Sequence, residues 1–129
     1  MMSLRVTPTM SCVSSEGRSA SIVSLATTLA ERHPAEHARC FAFDGWRLEL
    51  RSNTGALLDT VGAYLELFAA SPGPCDVTVS AYETDAPQFG LPYFDWKRGA
   101  GKIGKKEQCA DLNDGWGVRK VRTGMHFLL

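Results

Sequence analysis

The chain has 129 residues, 44% hydrophobic and 22% charged, a balance that suits one folded domain and excludes a disordered or low-complexity segment. No apolar run reaches the roughly 20 residues of a membrane-spanning helix, and Met1–Gly17 has no continuous apolar stretch of the secretory kind, so the expected setting is the cytoplasm, with no membrane partner. The net charge is zero but uneven: six Lys and Arg against eleven Asp and Glu up to Trp96, then eight against three from Lys97 onward, which points to an anionic partner for the basic last third or to its docking on the acidic body.

Met1–Gly17 is Ser-rich and without period, and is expected to be a flexible N-terminus (1–17) ahead of a single domain over 18–129. From Ser19 to Glu31, Ile22, Leu25, Ala26 and Leu29 recur at helical spacing. Ser19 or Ser21 is available as N-cap, and His33-Pro34 forms the stop. His33-Pro-Ala-Glu-His37 matches the letters of an inverted zinc-protease signature, H-x-x-E-H. With Pro34 directly after the first His in a polar link, it is expected to be a loop and not a metal site.

Two alternating runs, Arg39–Phe43 and Trp46–Arg51, flank Asp44-Gly45, a strong hairpin signal because both central positions of a type I′ turn need positive φ. Trp46, Leu48 and Leu50 are expected on the core side, Arg47, Glu49 and Arg51 towards water. Ser52-Asn53-Thr54 caps a second helix, Gly55 to Ala70, with Leu57, Leu58, Val61, Leu65 and Phe68 as its buried stripe and Ser71-Pro-Gly-Pro74 as its end. Asp76–Tyr82 alternates as a strand, Val77, Val79 and Ala81 on one side and Thr78, Ser80 and Tyr82 on the other. Glu83–Leu91 is expected to be loop.

Gly99-Ala-Gly-Lys-Ile-Gly-Lys-Lys106 nearly spells a phosphate-binding loop, but Lys106 stands where a Mg²⁺-ligating Ser or Thr is needed, and neither the preceding strand nor the following helix is present in the pattern. A flexible basic loop is expected, with Lys102, Lys105 and Lys106 as candidate anion ligands. Lys106–Leu112 and Gly117–Thr123 flank a second turn, Asn113-Asp-Gly-Trp116. Along the latter strand Arg119 falls on one face and Lys120 and Arg122 on the other; all three are candidates for contact with an anion or partner. Met125–Leu129 begins a further apolar run with no polar tail, which suggests one piece of a longer protein, an open strand edge beside it and a tendency to homodimerise.

Cys12, Cys40, Cys75 and Cys109 lie too far apart for a paired zinc motif or a dense disulfide scaffold and are expected to be reduced, buried apolar side chains. No nucleophile sits in a glycine elbow and histidines are scarce, so no catalytic residue, cofactor or metal is assigned. The element order, helix, hairpin, helix, strand, hairpin, strand, predicts an α+β fold: a mainly antiparallel sheet with two helices packed on one face.

The segments Asp95–Glu107, Ala110-Asp-Leu-Asn-Asp-Gly115 and above all Val118-Arg-Lys-Val-Arg-Thr-Gly-Met125, with Phe41–Asn53 as a strand–strand–helix opening, resemble the N-terminal region of bacterial HPr-kinase-related proteins of the B subgroup. The resemblance spans Leu25 to Leu129. It implies a non-catalytic accessory or regulatory domain, partnered by an ATP-dependent kinase domain in cis or in trans, and bearing on a protein substrate. The family's catalytic residues have no counterparts here, so none is carried over. The alternative is a free-standing anion- or nucleic-acid-binding module using the basic last third. Because Arg119 and Lys120 face opposite ways, nucleic acid is the less expected ligand.

Overall fold

The computed structural model describes residues 2–7, 21–85, 89–95 and 107–129. At Asp44-Gly45 the chain takes positive φ at both positions, 22° and 94°, as the tight turn requires. It thereby joins β2 (His37–Phe43) to β3 (Trp46–Ser52) in the expected antiparallel pair. The second turn is likewise two residues, Asn113 and Asp114, between β7 (Glu107–Leu112) and β8 (Gly115–Lys120). The first helix, α1 (Ile22–Arg32), opens with a capping box in which the Ser21 and Ser24 side chains and backbone amides satisfy one another.

The second helix is shorter than its hydrophobic stripe suggests. α2 covers Gly55–Tyr64, a 3₁₀ turn follows over Glu66–Phe68, and Ala69–Ala70 form a short strand, β4. The reason is pairing: Ala69 and Ala70 bond to Phe41 and Cys40 on the outer edge of β2, where otherwise unpaired backbone groups would remain. β5 (Val77–Glu83) then returns parallel to β3, with α2 as the crossover between them.

Met2–Thr7, at the start of the stretch expected to be flexible, is instead a strand, β1. It pairs antiparallel with β5 and parallel with β9 (His126–Leu128). Residues 8–17 of that expectation lie outside the described residues. With β6 (Phe94–Asp95) beside β7, the strands form one nine-stranded sheet in the order β4-β2-β3-β5-β1-β9-β8-β7-β6. Among the described strands only the β3–β5 and β1–β9 pairings are parallel, so the fold is α+β with a mainly antiparallel sheet, as expected. β9 lies between β1 and β8, so the open edge expected beside the last strand is absent there. The two-residue strands β4 and β6 hold the outer positions.

The helices lie on opposite sides of this sheet, which corrects the expectation of one covered face. α2 brings Leu58 onto Phe41, Leu50, Val79 and Ala81, whereas α1 brings Ile22 and Leu29 onto Tyr82 and Leu128. Side chains alternate along a strand, so Ala81 and its neighbour Tyr82 on β5 point to different faces. Tyr82, placed on the polar side by the sequence pattern, is 3% exposed. Among the described residues no helix is long and apolar enough to cross a membrane.

Candidate functional site

Residues directly paired across a sheet share a face, and on the α1 face one such line is polar. Asp95 pairs with Gln108, Gln108 with Arg119, and Arg119 with His126, straight across β6, β7, β8 and β9. Their side chains bond in the same order. Gln108 Nε2 donates to Asp95 Oδ1 at 3.1 Å, and Arg119 donates to Gln108 Oε1 from Nε at 3.0 Å and also from Nη2.

The row ends in a cleft of about 440 Å³, walled by Phe89–Tyr93, Arg119 and His126. The loop can lie this low because Gly117 on β8 has no side chain: a Cβ there would stand 3.2 Å from Leu91 Cδ1. Gly90, at φ 65°, turns the loop across the strands. Tyr93 then sits under the Arg119 guanidinium, whose carbon is 4.2 Å from the ring centre, a cation–π contact that fixes the cation at the cleft wall.

His126 is buried, with Phe89 edge-on to its ring at 5.5 Å and Tyr93 Oη 3.2 Å from its Nδ1. Burial, reinforced by the Arg119 charge, holds its pKa below the ordinary 6.5, so the imidazole is neutral at pH 7. Burial also pushes the Tyr93 phenol up, against a smaller opposing pull from Arg119. The cleft therefore presents one fixed cation, a protonated phenol and an uncharged imidazole. That set can hold an anion by charge and hydrogen bonds, and among the described residues its lining holds no thiol, serine or carboxylate to attack a substrate or take its proton.

Of the three described basic residues singled out in the sequence, Arg119, Lys120 and Arg122, it is Arg119 that lines this cleft. Lys120 points to the opposite face, where Nζ is 2.5 Å from Glu107 Oε1. Arg122 is exposed on the turn that follows β8. Lys102, Lys105 and Lys106, and with them Gly99–Lys106, lie outside the described residues. The described part of the basic third thus divides between two faces instead of forming one stripe, which removes support from a nucleic-acid groove.

His33 and His37 do not converge. His33 caps the C-terminus of α1 with Nε2 3.1 Å from Thr84 Oγ1, while His37 opens β2 beside Gly55. Cys40, Cys75 and Cys109 are free thiols, two of them buried. Sequence spacing missed that Cys40 and Cys75, 35 residues apart, place their sulfurs 3.7 Å from each other. It also missed Tyr93 and His126 as partners of Arg119, because only strand register brings them together.

Comparison of the chain with protein-family models, curated proteins and solved structures gives no match.

Proposed function

We propose that the chain is a non-catalytic accessory domain of an HPr-kinase-like protein, and that it senses a small anion in the Arg119 cleft on behalf of a kinase domain. The observation that carries the anion site is the polar row Asp95–Gln108–Arg119 delivering a braced guanidinium to the cleft beside neutral His126 and Tyr93. Such a fixed cation loses little freedom on binding, and a charge-assisted hydrogen bond from it contributes about 1.5–3 kcal/mol. The kinase association rests on the likeness of Val118–Met125, the run that contains Arg119, to the HPr-kinase-related N-terminal region. No membrane or nucleic-acid partner belongs to this function.

The test is calorimetric titration of the full chain with inorganic phosphate, paired with an ATP-turnover assay in the presence of Mg²⁺. Saturable binding that weakens at least about tenfold in Arg119→Gln, without ATP turnover, is the expected result. Absence of binding, or equal binding by the variant, overturns the anion site; ATP hydrolysis by the chain alone overturns the non-catalytic role.

A further inference from the structure

Far from the Arg119 cleft, the β2–β3 hairpin and the loop before β5 assemble a second group of donors. Cys40 and Glu49 are directly paired across β2 and β3, which puts both side chains on one face. Cys75 approaches from the loop that leads into β5. That loop is pinned to β3 at two points: Arg47 N donates to Asp76 Oδ2 at 2.7 Å, and Asp76 N donates to Arg47 O at 2.9 Å. The ligand atoms of Cys40, Glu49 and Cys75 all lie within 4.8 Å of one another.

We infer that Cys40, Glu49 and Cys75 form a divalent-metal site of the zinc class, with three protein ligands and a fourth position open to solvent or to a partner's ligand. The decisive distance is that between the sulfurs. Two thiolates at about 2.3 Å from a tetrahedral Zn²⁺ stand about 3.7 Å apart, and the Cys40 and Cys75 sulfurs are separated by 3.7 Å. A disulfide would need about 2.05 Å, so this spacing is that of two ligands rather than of a bond. The pair needs no rearrangement of the strands to take the ion.

Charge agrees with the geometry. Two thiolates and a carboxylate around a divalent cation leave one negative charge. Arg51, ion-paired with Glu49 Oε1, offsets that charge. The carboxylate has a second oxygen for coordination. A cleft of about 320 Å³, walled in part by Cys40, Glu49, Ala70 and Gly73, gives the ion a way in and the fourth ligand its place. Soft sulfur donors with one oxygen select Zn²⁺ over Mg²⁺ or Ca²⁺. On binding, both thiols form S–Zn bonds and their two protons pass to solvent.

The test uses the full chain, reduced and stripped of metal, titrated with Co²⁺ and then with Zn²⁺ against a chromophoric chelator. One equivalent of Co²⁺ should give thiolate-to-cobalt charge-transfer absorption in the near ultraviolet with tetrahedral visible bands, bleached by Zn²⁺. Cys75→Ser should lower Zn²⁺ affinity by at least about 100-fold, the upper end of what loss of even a supporting outer group costs. Glu49→Gln, which keeps both thiols, should retain the charge-transfer band but weaken binding, while Cys109→Ala should bind as the parent does. Folding of each variant is checked by circular dichroism. No thiolate band from the folded, reduced parent overturns the site, and so does unchanged affinity in both Cys75→Ser and Glu49→Gln.

Discussion

His126 owes its charge state to its surroundings, and that has a measurable consequence. Its folded pKa lies below the unfolded 6.5, through burial first and the Arg119 charge second. Below pH 6.5 the unfolded chain therefore binds a proton that the folded one resists, and stability falls as the pH drops until the folded pKa is passed. Above 6.5 the contribution is constant. Among the described residues the groups beside the ring are Arg119, Tyr93 and Phe89, and none of them supplies a negative charge that would reverse the sign. Urea midpoints at pH 7.5 and 5.5 should fall further for the parent than for His126→Gln; equal falls would show that the acid sensitivity comes from elsewhere. At this scale the sequence was a poor guide. Arg119 was visible in the basic run, but Asp95, Gln108 and His126 are 13, 11 and 7 positions from their neighbours in the row, distances that carry no period. Cys40 and Cys75 were hidden for the same reason.

Elements with local instructions were legible, and those that depend on distant partners were not. The Asp44-Gly45 turn, the α1 periodicity and its Ser21 cap follow from residues within a few positions of one another. β1 carries no such signal and is a strand because β5 and β9 both pair with it. The truncation of α2 at Tyr64 reflects the claim of β2's edge on Ala69 and Ala70, a tertiary demand that overrides helix propensity. α1 has a long-range support as well. Asp114, in the β7–β8 turn, accepts from the Ile22 and Val23 amides at 2.7 and 3.1 Å. It thus caps the positive end of a helix some ninety residues away in the chain and ties the second hairpin to it. Asp114→Ala should cost about 1–2 kcal/mol of unfolding free energy, read as a lower urea midpoint with an unchanged slope. A loss below about 0.3 kcal/mol would mean that Ser21 alone suffices.

At the scale of the molecule, the two apolar clusters on opposite faces explain why a nine-stranded sheet needs only two helices. Each helix covers one half: α2 lies over β2, β3 and β5, and α1 spans from β5 to β9. The pattern along β5 could not announce this, because Val77, Val79 and Ala81 alone satisfy a one-sided strand, and Tyr82 reads as a polar-face residue until α1 covers it. The halves meet at β1, so the sheet is continuous only through the segments nearest the two ends of the chain. Ser3 pairs with His126 and Arg5 with Leu128, contacts 123 residues apart. Closing a loop of that length costs about 4 kcal/mol in chain entropy by the logarithmic law, whereas the Asp44-Gly45 hairpin closes almost at once. The expected order of events in time is that the hairpin and its α2 crossover assemble early and the β1–β9 seam sets last, after the barrier. Leu128→Ala, at a position 1% exposed, should lose about 2–5 kcal/mol, and stopped-flow kinetics should place nearly all of that loss in faster unfolding, with the refolding rate little changed. Slowed refolding would put the seam in the nucleus instead. A molecule built this way should open along its middle, at a rate set by the three residues of β9.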